Sequence, residues 1–264
     1  MTRTLSLALA ALISTVMATP MPTPAPAKQE VLAVHKMTTI VVEETRLPIV
    51  DDVPYATWAP EFLPITIINS HHNPISTSHA YNPGPTPVGG KPEPGTMAPG
   101  ETATFAVPTG WGGNVAVVDS RYPIAWMGGD TLIESSFVVP WGSNGIAVAD
   151  INISYVTGFS LPSTCWCDEQ RTVLTGCNLD LFAVAAMTGN QCPPPDNLLD
   201  TYGLCNNPLR GDLNAREATP FFKPCQGLGY TFPSDDRANS FGFCQAGITC
   251  CVGTSCPRHP GQAL

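Results

Sequence analysis

Ile146-Ala147-Val148-Ala149-Asp150-Ile151-Asn152-Ile153-Ser154-Tyr155-Val156, then Thr157-Gly158-Phe159-Ser160-Leu161-Pro162, is the stretch on which the fold turns. Positions Ile146, Val148, Asp150, Asn152 and Ser154 share one side of a period-two alternation, which predicts a β-strand ending at Gly158-Phe159. Working outward, β-branched runs recur at roughly ten-residue spacing. Upstream, Leu132–Val139, Val115–Val118, Thr102–Val107 and Ile65–Asn69 read as strands. Trp111-Gly112-Gly113 and residues 141–145 read as turns, and residues 83–99 as a long Pro/Gly loop. This spacing predicts an all-β protein built as a sandwich or barrel.

Downstream the composition changes. All ten cysteines, Cys165, Cys167, Cys177, Cys192, Cys205, Cys225, Cys244, Cys250, Cys251 and Cys256, follow residue 164. An even number allows up to five bridges, with connectivity open. The members of the vicinal pair Cys250-Cys251 are expected to bridge other partners rather than each other. Residues 177–225 read as loop with one short helix over residues 180–187, and Tyr230–Phe232 as a strand.

The N-terminus carries Arg3, an apolar run over residues 5–17 and the small-x-small pattern Val16-Met17-Ala18. These features predict a secretory signal over residues 1–18, too short to span a bilayer. Residues 19–64 form a proline-rich segment and linker; within it Thr38–Val42 is β-branched and residues 51–64 are proline-broken. The remaining division is a cysteine-free β portion, 65–162, and a disulfide-rich portion, 163–257, of one domain. Net charge is −9, with only 12% charged residues. That balance excludes a nucleic-acid or anionic-membrane footprint, and no second apolar run of spanning length predicts an integral membrane association. A monomer, secreted or held in a cell wall, is expected.

Several short segments, in order, resemble the thaumatin-like (osmotin, pathogenesis-related class 5) family. They are Ile153-Ser154-Tyr155-Val156-Thr157-Gly158-Phe159-Ser160-Leu161-Pro162, and Phe221-Phe222-Lys223-Pro224-Cys225 leading to Tyr230-Thr231-Phe232-Pro233-Ser234-Asp235-Asp236. Leu132-Ile133-Glu134-Ser135-Ser136-Phe137 and Trp111-Gly112-Gly113 add to the likeness, which covers about residues 65–253 in a divergent, fungal style. The resemblance implies a β-sandwich with disulfide-rich loops and an acidic cleft that faces carbohydrate in several members. Of the family's cleft set, Glu134, Asp235 and Asp236 are matched. The family's first strand Asp falls on Asn152 and its second on Thr157, while its Arg falls near Val118. Asp150, two residues from Asn152, would point to the same face.

Glycoside hydrolysis needs two carboxyl groups across the scissile bond, and Glu134 with Asp150 is the candidate catalytic pair. The candidate ligand-binding set is Glu134, Asp150, Asn152, Asp235 and Asp236. Asp235 and Asp236 also fit a turn held by side-chain-to-backbone bonds. With two family carboxylates missing, the expected function is binding of cell-wall β-glucan, with weak or no β-1,3-glucanase activity. The competing readings are a non-enzymatic antimicrobial or host-interaction protein and a structural wall protein. Asn152-Ile153-Ser154 is an N-glycosylation sequon. His71-His72 and His79 lack metal-ligand spacing and read as polar loop. No metal or cofactor is expected. Trp111, Trp126, Trp141 and Trp166 can either stack on sugar rings or pack in the core.

Overall fold

A computed structural model describes residues 58–91, 95–124, 128–141, 144–238 and 244–263. The signal, most of the proline-rich segment with its Thr38–Val42 run, and Trp126 lie outside the described residues.

The strands are β1 (Phe62–Asn69), β2 (Ile75–Tyr81), β3 (Val88–Gly90), β4 (Gly95–Met97), β5 (Thr102–Pro108), β6 (Trp111–Asp119), β7 (Thr131–Val138), β8 (Val148–Ser154), β9 (Gly158–Phe159), β10 (Ser163–Cys167), β11 (Val173–Cys177), β12 (Asn197–Leu198), β13 (Leu204–Asn206) and β14 (Ile248–Val252). Two helices, α1 (Leu181–Thr188) and α2 (Leu199–Tyr202), lie within the disulfide-rich portion. The chain is therefore mostly β, as the alternation predicts. One sheet has the order β11-β10-β14-β1-β5-β3, a second β4-β2-β6-β7-β8, and a small third β12-β13-β9.

Both large sheets turn their apolar residues toward one continuous core. Leu63, Ile65 and Ile67 of β1 and Phe105 and Val107 of β5 enter it from the first sheet. Trp111, Val115 and Val117 of β6, Ile133 and Phe137 of β7, and Ala149, Ile151 and Ile153 of β8 enter it from the second. The period-two pattern puts these residues inside and sends Asn114, Glu134 and Asn152 to the opposite face.

The cysteine-free and disulfide-rich portions share the first sheet. β1 lies between β5, antiparallel, and β14, parallel. All ten cysteines are bridged: Cys165–Cys250, Cys167–Cys244, Cys177–Cys225, Cys192–Cys205 and Cys251–Cys256. Cys165 and Cys250 are directly opposed on β10 and β14, and the vicinal cysteines do bridge different partners. Gly158 marks a close approach of the two portions. A Cβ there would lie 2.3 Å from the Gly129 carbonyl and 2.4 Å from that of Cys205, so only glycine lets the three backbones meet.

Five local expectations are corrected. Trp111-Gly112-Gly113 is the start of β6 rather than a turn, because the buried Trp111 opposes Phe137 in the ladder. Residues 51–64 are not linker throughout, since Phe62–Pro64 pair with Val107 and its neighbours. The loop 83–99 contains β3 and β4, two three-residue edge strands. Tyr230–Phe232 is not a strand. It makes a single bridge to Ser154, because Asp235 draws the chain into a turn. His79 lies in β2, its ring edge-on to Phe105 at 5.4 Å. The predicted helix is α1, capped by Asp180, whose Oδ1 accepts from the N–H groups of Phe182 and Ala183.

Candidate functional site

The outward face of β6, β7 and β8 carries a polar row. Asn114 is opposite Glu134, and Glu134 opposite Asn152, so amide, carboxyl and amide stand on three adjacent strands. Neighbouring strands lie about 4.8 Å apart. One step along, Gly112, Ser136 and Asp150 form the next row. Glu134 and Asp150 are thus diagonal neighbours on one face, with β-carbons ~7 Å apart by sheet geometry.

These rows floor a groove with two connected stretches. One, of about 210 Å³, is lined by Asn82, Asn114, Glu134, Ser136, Asp150 and Asn152. The other, of about 340 Å³, continues past Asn114, Glu134 and Asn152 to Ser154, Thr157, Tyr230 and Pro233. The second stretch is walled by the disulfide-rich portion, so the groove follows the junction of the two portions. Thr157 is held there by its hydroxyl, which donates to the Asp130 carbonyl at 3.1 Å.

The electrostatics follow from burial. Glu134 is pushed above the usual carboxylate range, first by burial and further by the nearby Asp150, while a Ser154 hydrogen bond opposes the shift. Asp150 is also raised by burial, against the pull of the Ile151 N–H. The Tyr230 hydroxyl is raised by burial and by the charges of Asp150, Asp236, Asp235 and Glu134. Neither groove stretch has a Lys, Arg or His in its described lining. The Oδ1 atoms of Asn114, Asp150 and Asn152 are buried without a hydrogen-bond partner in the protein.

The predicted residues separate into two groups. Glu134, Asp150 and Asn152 come together in the groove. Asp235 lies outside its lining and is buried; its Oδ2 accepts from the N–H of Gly227 and from the N–H and hydroxyl of Thr231. Asp235 holds the turn that carries Tyr230. Asp236 is exposed at the start of a 3-10 turn. The sequon residue Asn152 stands mid-strand in the groove floor. Sequence reasoning missed Asn82, Asn114 and Tyr230. Reading Trp111–Gly113 as a turn hid the strand that carries Asn114, whereas the alternation of Trp111, Gly113 and Val115 marked its inward side. Trp111 is in the core, whereas Trp141 is fully exposed after β7.

Among the described residues no group of three or more His, Cys, Asp or Glu is placed to hold a metal ion. No helix among them is long and apolar enough to cross a membrane. No family model matches the chain, and no curated protein matches it.

Proposed function

We propose that the chain is a secreted, thaumatin-like protein that binds cell-wall polysaccharide, β-1,3-glucan first among candidates, along the groove floored by Asn114, Glu134 and Asn152. The observation that carries this reading is that row of amide, carboxyl and amide groups on one open sheet face. Such groups take paired sugar hydroxyls, and the Oδ1 atoms of Asn114 and Asn152 have no partner among the protein's own donors. The order of the resembling segments, the two sheets around one core and the disulfide-rich wall support the family reading. Five bridges suit an oxidising, extracytoplasmic setting.

Hydrolysis is weak or absent in this proposal. An acid and a base need environments that push their pKa values apart. Burial pushes both Glu134 and Asp150 upward. Glu134 suits the acid role, but Asp150, shifted in the same direction, is poorly differentiated from it as the base.

The test is retention on insoluble β-1,3-glucan at low salt, with intact mass measured on the same secreted preparation. Retention, loss of retention in Asn114→Ala/Asn152→Ala, and an unmodified Asn152 are expected. A wild-type protein that flows through, or a glycan on Asn152 filling the groove, sinks the reading. Reducing-sugar release equal in Glu134→Gln and wild type dismisses Glu134 as an acid.

A further inference from the structure

A second cavity, of about 320 Å³, lies away from the groove, where the chain leaving β1 meets the end of β6 and the helices of the disulfide-rich portion. Its volume falls within the range of small-molecule pockets. One side is apolar, formed by Leu161, Pro162, Phe182 and Leu199. The other is built around Asp119.

Asp119 is nearly fully buried and accepts five hydrogen bonds. Its Oδ1 takes the Arg121 backbone N–H and Nε, each at 3.0 Å. Its Oδ2 takes Arg121 Nη2 at 3.0 Å, Asn73 Nδ2 at 2.7 Å and His71 Nε2 at 3.2 Å. Burial alone would raise this carboxyl, but these donors hold it far below the usual range. Its lone pairs are therefore spent. The other carboxylate in the wall, Asp180, uses its Oδ1 to accept two N–H groups at the start of α1.

The donors are less fully used. Arg121 commits Nε and Nη2 to Asp119, which leaves Nη1 without a protein partner among the described residues. The guanidinium, on a side chain 65% exposed, is tethered by these two bonds and lies over the Tyr122 ring, 5.5 Å from its centre. Tyr122 in turn packs on Gly203, where a Cβ would come within 2.3 Å of the ring. His72, exposed at the rim, lies against His71 with ring centres 4.1 Å apart and planes tilted by 52°.

A tethered guanidinium with a free N–H, a rim imidazole and an apolar opposite wall match a ligand with an anionic head and an apolar body. We propose that this cavity binds a small monocarboxylate with an aromatic or short aliphatic body, its carboxylate on Arg121 and His72 and its body against Leu161, Phe182 and Leu199. The site is independent of the groove.

The test is calorimetric titration of the oxidised, full chain with benzoate, and with benzamide as its uncharged counterpart, at about pH 6, where benzoate is ionised. Benzoate is expected to bind one to one, and benzamide at least about tenfold more weakly, as loss of a charge-assisted hydrogen bond requires. Arg121→Gln should abolish benzoate binding, but it also loosens Asp119. Leu199→Glu is therefore the decisive variant, since it sets a carboxylate in the wall and leaves the Asp119 network untouched. It should weaken benzoate at least about tenfold with an unchanged melting temperature. Glu134→Gln should bind benzoate like the wild type. Absence of saturable benzoate binding, equal affinity for benzamide, indifference to Leu199→Glu, or sensitivity to Glu134→Gln each overturns the proposal.

Discussion

From β1 to β8 the chain is held by ladders between strands and by core packing, while from β10 onward it is held by bridges. In the first region β5, β6, β7 and β8 follow one another in sequence, and β6, β7 and β8 also pair in that order. β1, β5 and β7 each bury one face there, and no cysteine is present. In the second, the described residues of 178–247 contain two short α-helices, two single 3-10 turns and two strands of two or three residues. Five disulfides, spanning 5 to 85 residues, constrain what the backbone pairs sparsely. The difference teaches that covalent closure ties the sparsely paired segment to itself and to the sheet, since three of the five bridges have an end within residues 178–247. β1 couples the regimes, being inserted between β5 and the bridged β14. The groove lies along the seam, with its floor from the packed region and its wall from the stapled one.

Reduction of all five bridges is the harshest test of that contrast. At about 2–4 kcal/mol each, their combined loss of about 10–20 kcal/mol matches or outweighs the roughly 5–15 kcal/mol that holds a domain folded. The near-UV circular dichroism transition should vanish in reductant. A transition that persists would show that packing carries both regions.

Phe137→Ala probes the opposite side of the comparison. Phe137 is fully buried between Trp111 and Ala149 in neighbouring strands. Its truncation should cost about 3–5 kcal/mol, read by denaturant unfolding with the bridges intact. A cost below ~1 kcal/mol would mean that the disulfides stabilise the packed region too.

Asp235→Ala tests the seam. Removing the acceptor of three hydrogen bonds around a buried turn should cost about 1–3 kcal/mol. Glucan retention should fall only to the extent that Tyr230 shifts. A stable variant with abolished retention would restore Asp235 to the ligand-binding set.

The smallest expected effects are pH-dependent and opposite in sign. Burial lowers His79 from 6.5 to about 4 in the fold. Its neutral form is favoured, so its contribution is complete above about pH 6.5 and is lost as pH falls toward 4. Glu134 and Asp150 are raised by burial, so their protonated forms are favoured and stability declines as pH rises through the carboxylate range. Melting temperature against pH should lose its acid-side slope in His79→Gln and its carboxylate-side decline in Glu134→Gln. Unchanged profiles would dismiss the respective group.

Much of the fold was legible. Alternation located β1, β5, β7 and β8 because one buried face leaves a period-two record. The register of Asp150 with Asn152 followed from the same period. β3 and β4 were not legible, since three-residue edge strands in a Pro/Gly run leave too few residues to show a period. Nor was Asn114, because Gly112 and Gly113 around it read as a turn in isolation. Asp235 carried two local readings, and the contacts with Gly227 and Thr231 decide for the turn.

By itself the sequence determined the class of the molecule, because strand alternation, acidic charge and lopsided cysteines are properties of the chain read locally. Tertiary structure alone decided which cysteines meet and that β1 runs parallel to β14. It also decided that Asn114 joins Glu134 and Asn152, and that Asp119 collects His71, Asn73 and Arg121. The physical reason is separation. β1 and β14, Asn114 with Glu134 and Asn152, and Asp119 with His71 and Asn73 lie 18 to more than 180 residues apart in the chain, and only the register of paired strands and closure of the core bring them within a few ångströms.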